Sequence, residues 1–137
     1  MNARAVAAVL GAITLVMGLG GLISPERTLA FVGFAPLTPS QPALALGEAR
    51  AAYGGLFAML GVFTLWGAID PTNRRPLLLM AGFLWLGLCA GRCLGVSIDG
   101  SPGLFGWIAV LWEGGFGGAL VWAALASTPT STNVQRE

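Results

Sequence analysis

Apolar residues run through this chain in long blocks, broken by short clusters of charges and turn-formers. No charged residue occurs from Ala5 to Ile23, or again from Ala51 to Ile69. The only charge between Pro76 and Ile98 is Arg92, and the only one between Gly103 and Ala126 is Glu113. A helix needs about 20 mostly apolar residues to cross a hydrocarbon core of about 30 Å, and each block has that length. None carries the polar face that a surface helix of a soluble domain turns toward water. The pattern predicts an all-α protein: a four-transmembrane-helix bundle with helices at about 5–23, 48–69, 76–98 and 103–126, in one domain over 1–126.

The connections differ in kind. Asp70-Pro71-Thr72-Asn73 and Asp99-Gly100-Ser101-Pro102 read as compact turns. The first connection, Ser24 to Gly47, is much longer. Ser24-Pro25-Glu26 is a helix start, with a serine cap, proline in the first turn and an acid near the positive end of the dipole. Closed by Gly33, it gives a short interfacial helix between the first and second spans, with Leu29, Phe31, Val32 and Phe34 toward the lipid or the bundle. Pro36, Pro39 and Pro42 make the rest extended, and the Ser/Thr-rich tail over 127–137 is predicted to be disordered. The first block exceeds the apolar region of a secretory signal and no small-x-small site precedes Pro25, so it reads as a retained helix. Arg4, Arg74, Arg75 and Arg136 share one side of the bundle, against Arg27 and Arg50 on the other. The positive-inside rule then places both termini in the cytoplasm and the chain in the inner membrane.

Composition sharpens what chemistry is available. Charged residues make up 9% of the chain, where about 25% is usual for a soluble domain. The seven arginines and six carboxylates leave a net charge of +1, which provides no basic patch for nucleic acid. There is no histidine, and so neither the commonest general base nor the commonest metal ligand. Cys89 and Cys93 alone cannot close a tetrahedral metal site, and neighbouring turns of one helix suit a disulfide poorly. They read as packing residues. The glycines of Gly114-Gly115-Phe116-Gly117-Gly118 lie within a span and fit helix packing better than phosphate binding. Trp66, Trp107 and Trp122 lie near span ends, where aromatic belts form, while Trp85 and Trp112 are deeper. No catalytic residue, metal ligand or cofactor is assigned.

Arg92 and Glu113 need a reason to be where they are. An intramembrane charge costs several kcal/mol and generally finds a partner inside the bundle. Arg92 lies roughly 10 Å inside the outer end of the third helix and Glu113 roughly 15 Å inside the fourth, at about 1.5 Å per residue. A tight turn joins these two helices, so a buried Arg92–Glu113 pair is predicted. Gly106, Ala109, Glu113 and Gly117 share one stripe, and Gly87, Gly91 and Gly95 form a small-xxx-small series beside Arg92; both read as close-packing surfaces. Asp99 is a second candidate partner for Arg92. Glu48, Arg50 and Tyr53 stand at the outer entrance of the second helix, followed by Gly54 and Gly55 as packing positions. The polar set Glu48, Arg50, Tyr53, Arg92, Asp99 and Glu113 therefore falls in one half of the bundle. It reads either as a lock on helix register or as a cup for a ligand.

In these residues the chain resembles domain-of-unknown-function family 4345, small bacterial four-helix membrane proteins. The likeness rests on Ser24-Pro25-Glu26, on Glu48-Ala49-Arg50-Ala51-Ala52-Tyr53-Gly54-Gly55, on Gly91-Arg92, on Asp99-Gly100 with Pro102, and on the lone Glu113. It implies an integral membrane protein and supplies no activity, substrate or cofactor. A looser likeness to DoxX-like membrane proteins is architectural only. Two function classes remain. The leading one is a non-enzymatic bundle whose polar cluster, besides the lipid bilayer itself, meets a small polar ligand, a lipid head group or a partner membrane subunit. The other is a membrane enzyme or transporter component, with Glu113 exchanging protons and Arg92 anchoring an anionic or quinone-like substrate.

Overall fold

The structure, a computed structural model, describes residues 2–33 and 42–127. In chain order the elements are α1 (Ala3–Ile23), α2 (Pro25–Phe31), α3 (Pro42–Ala49), a π-helical segment (Arg50–Leu56), α4 (Phe57–Ile69), α5 (Arg75–Asp99) and α6 (Gly103–Ala126). Four helical stretches are long and apolar enough to cross a membrane: Ala3–Ile23, Ala43–Ile69, Arg75–Asp99 and Gly103–Ala126. The expected all-α bundle of four spans with a short helix after the first is the observed architecture.

Local chemistry sets the boundaries. The Asn2 side chain caps α1 by accepting from the Arg4 amide at 3.0 Å. Pro25 starts α2 at a position where a missing N–H costs nothing. Gly33, at φ +89°, ends it in the left-handed region that favours glycine. The second span begins earlier than the sequence suggests. Pro42, read as extended, opens α3 instead, because proline is tolerated in the first turn of a helix. Phe34, Pro36 and Pro39, together with the tail beyond Ser127, lie outside the described residues, so the expectations about them do too.

Two tight helix pairs make the bundle, α1 on α4 and α5 on α6, joined through α1–α6 and α4–α5 contacts. Glycine produces both seams. A Cβ on Gly11 would stand 2.9 Å from the Leu65 amide nitrogen, and Gly18 and Gly61 bring α1 and α4 into backbone contact at Ala58 and Leu15. Across the second seam, a Cβ on Gly117 would lie 2.8 Å from the Gly82 carbonyl. Such close approach replaces the hydrophobic drive that lipid removes. Of the expected packing glycines, Gly54 and Gly117 sit in seams. Gly87 and Gly91 have nothing within 4 Å of an added Cβ, Gly95 has only the Asp99 carboxylate, and Gly55 and Gly106 meet only their own helix or its lead-in. The small-residue series on α5 is thus an open face: its helix partner, α6, packs through Gly82 instead.

The core gathers Ala7, Leu60, Ala68, Leu78, Ala81, Trp85, Leu120, Ala123 and Ala124 around a run of stacked rings. Phe57 stacks on Trp85 at 5.3 Å, Trp85 tilts onto Phe116 at 5.1 Å, and Phe116 stacks on Trp112 at 4.4 Å. Thr14 and Thr64 are buried and donate to the Leu10 and Leu60 carbonyls one turn back, which removes the cost of a free hydroxyl away from water.

Candidate functional site

The tight turn after α5 folds α6 back beside it and brings Arg92 against Glu113. The Arg92 Nε–H donates to Oε1 at 2.7 Å and to Oε2 at 2.8 Å. The pair is asymmetric. The Glu113 side chain is 6% exposed and that of Arg92 41%, so only the carboxylate is buried. The reason lies in α5, whose buried residues are Leu78, Ala81, Gly82 and Trp85; from Leu86 to Asp99 it meets α6 along one side, at Leu86, Cys89 and Arg92, and no residue is buried. Arg92 and five other α5 residues, Phe83, Leu84, Gly87, Leu88 and Gly91, line an open groove of about 520 Å³. Among the described residues the two terminal amino groups of Arg92 have no hydrogen-bond partner.

The rest of the polar set does not converge on this pair. Asp99 is exposed, as are Glu48 and Arg50, and among the described residues Arg92–Glu113 is the single ion pair. Arg50 and Tyr53 fall in the π-helical segment, whose i→i+5 winding breaks the α spacing that would put them on one face. Tyr53 is half-buried, touches Phe57 edge-on at 6.2 Å, and lines a second cavity of about 370 Å³ with Ser24, Arg27 and Thr28. From the sequence Ser24 read as a helix cap and Arg27 as a topology charge, and none of these last three was a site candidate. Their signal was there: positions 24, 27 and 28 share one face of a short helix at i, i+3 and i+4.

Cys89 is half-buried and its thiol donates to the Val110 carbonyl at 3.5 Å, while Cys93 is exposed. No group of three or more His, Cys, Asp or Glu side chains that could hold a metal ion occurs among the described residues. The Trp85 indole N–H is buried without a partner among them.

A sequence model of one protein family, described as a domain of unknown function (DUF4345), matches residues 2–124. No curated protein and no solved structure matches the chain, so the looser DoxX likeness gains no support.

Proposed function

The chain belongs to the DUF4345 family, and we propose that it is a non-enzymatic membrane protein that binds a ligand through the Arg92–Glu113 pair. The occupant is a phosphate- or carboxylate-bearing group, brought by a lipid head or a small polar molecule. The asymmetry of the pair carries this reading. A lock on helix register buries both partners, whereas here Glu113 is enclosed and Arg92 is 41% exposed. Glu113 occupies only Nε–H, which leaves the amino groups of a fixed guanidinium beside an open groove. At membrane depth lipid tails offer these groups no acceptor, and an arginine fork suits phosphate and carboxylate geometry.

The test is retention of phosphatidylglycerol and of inorganic phosphate by the full chain in neutral detergent, read by native mass spectrometry. Arg92→Gln is expected to lower retention about tenfold, the equivalent of one charge-assisted hydrogen bond. Stability should move unequally. Arg92→Ala strands a buried carboxylate and costs about 3 kcal/mol. Glu113→Ala leaves a half-exposed guanidinium that can reach the interface, and costs about 1 kcal/mol. If the two alanine changes cost the same, the double change restores the melting temperature and retention never moves, the pair is a lock and this reading fails. If Glu113→Gln abolishes proton flux in vesicles carrying a pH-sensitive dye, the transporter reading replaces it.

A further inference from the structure

The second cavity shares no residue with the α5 groove and stands independently of the Arg92 reading. Its walls come from the last two turns of α1, from Ser24 and α2, from the π-helical segment and from Phe57. Four polar side chains line it: Ser24, Arg27, Thr28 and Tyr53. Among the described residues none of the four has a side-chain hydrogen bond. Ser24 holds the cap position of α2, yet its hydroxyl caps nothing. Among the described residues Arg27 forms no ion pair, although Glu26 is its neighbour in sequence and Glu48 lies on α3. Met17 and Phe57 supply an apolar wall to the same space.

The chemistry narrows the occupant. A guanidinium donates and never accepts, and hydroxyls can turn their hydrogens to a common acceptor. A partner rich in acceptors and negatively charged satisfies all four groups at once. The volume of about 370 Å³, at about 30 Å³ per water-sized atom, holds roughly a dozen heavy atoms. That is a head group and the first carbons of one chain. We propose that this cavity binds the anionic head of a single-chain amphiphile, an alkyl phosphate or a fatty carboxylate. Arg27 pairs the charge, the Ser24, Thr28 and Tyr53 hydroxyls donate to the head, and the first carbons lie on Met17 and Phe57 while the rest of the chain continues into the bilayer. The π-helical segment belongs to this site: winding of this kind is rare and concentrates at functional positions, and here it sets the half-buried Tyr53 in the cavity wall.

The experiment titrates the full chain carrying Arg92→Gln, which removes the α5-groove site proposed above, in neutral detergent with dodecyl phosphate, dodecanoate, dodecanol and inorganic phosphate, and counts bound ligand by native mass spectrometry. One dodecyl phosphate or dodecanoate per chain is expected, with dodecanol and inorganic phosphate each at least about tenfold weaker. Arg27→Gln should weaken the anionic amphiphiles about ten- to hundredfold. Gly20→Leu is the second variant: Gly20 lines the cavity and an added Cβ there meets nothing within 4 Å, so the larger side chain enters the space without striking backbone. It should abolish binding and leave the melting temperature in place. In the unsubstituted chain a further, Arg92-dependent equivalent belongs to the α5 groove and leaves the Arg27-dependent one unchanged. Equal binding of dodecanol overturns the charge pairing. Equal binding of inorganic phosphate makes this a site for the free anion and overturns the amphiphile. If the Arg92→Gln chain binds no anionic amphiphile, or if adding Arg27→Gln and Gly20→Leu to it changes nothing, the ligand lies elsewhere and the proposal fails.

Discussion

The two ends of the bundle are built to different standards. At the end holding the start of α1, the end of α6 and the α4–α5 turn, Leu78, Leu120 and Ala123 are fully buried. Polar contacts tie the elements there together. Asp70 accepts from the Asn73 amide and side chain at 3.2 and 2.8 Å, Arg74 donates to the Trp66 carbonyl at 3.1 Å and lies 5.3 Å from the centroid of the Trp66 ring, and Thr72 donates to the Ser127 carbonyl at 3.0 Å. At the end holding α2, Leu94 and Ile98 are 61% and 72% exposed, and both cavities open there. A bundle with no hydrophobic drive between its helices can close one helix pair along its whole length, as the first span does on the second through Gly18 and Gly21, and leave another open, as α5 is toward Asp99. The open end of α5 then keeps polar groups unpaired and accessible. Stability and function are separated along the helix axis.

The largest expected effect compares one substitution on two glycines. Gly82→Leu, in the first half of α5, drives a side chain into the Gly117 carbonyl and the Val121 amide, where no rotamer change relieves it, and should cost more than about 3 kcal/mol. Gly91→Leu adds the same atoms to a face with nothing within 4 Å and should leave the melting temperature in detergent within about 2 °C, as surface changes do. If Gly91→Leu destabilises as much as Gly82→Leu, the α5 face is covered in the assembled protein and the contrast between the ends collapses.

A core truncation draws the same line with a smaller step. Leu120→Ala opens a cavity beside Trp85 and should cost about 2 kcal/mol, toward the low end of such changes because lipid replaces water around the unfolded helices. Leu94→Ala, at the open end, should change stability by less than about 0.5 kcal/mol. Reversible denaturation of both variants in mixed micelles checks the pair.

The same contrast explains what the sequence made legible. Span length and hydropathy are one-dimensional properties, and they gave the four long helices and the turns between them. The contact of Arg92 with Glu113 was also readable, since a tight turn fixes the relative depth of two helices. Which side of a helix meets a neighbour was not, because in lipid an apolar face is equally content against leucine or an acyl chain. Gly87, Gly91 and Gly95 therefore read as a seam, while Gly11 and Gly18, which do form one, were not singled out, and only three-dimensional packing separates them. The π-helical winding was hidden for a related reason: it depends on backbone contact, with Gly54 pressed against Leu22 and Gly21 against Tyr53. The α3 start at Pro42 follows an ordinary rule of helix capping, given too little weight against three prolines in close succession.

The smallest effect is a pH dependence confined to the tied end. The hydrogen bond from the Asn73 side chain, the Asn73 backbone amide and the nearby Arg74 charge together hold the Asp70 carboxyl below its usual range, which is near about 3.9. A carboxylate depressed by folding stabilises the fold at every pH above its unfolded value. That contribution is lost as pH falls through the lower folded value. Parent and Asp70→Ala should therefore differ slightly in melting temperature at pH 7 and converge below about pH 3, with Asn73→Ala intermediate. At the opposite end Asp99→Ala, which has no hydrogen bond among the described residues to lose, should match the parent at neutral pH. A loss in Asp99→Ala as large as in Asp70→Ala would mean that the open end carries polar restraints of its own. The division of labour along the helix axis would then have to be redrawn.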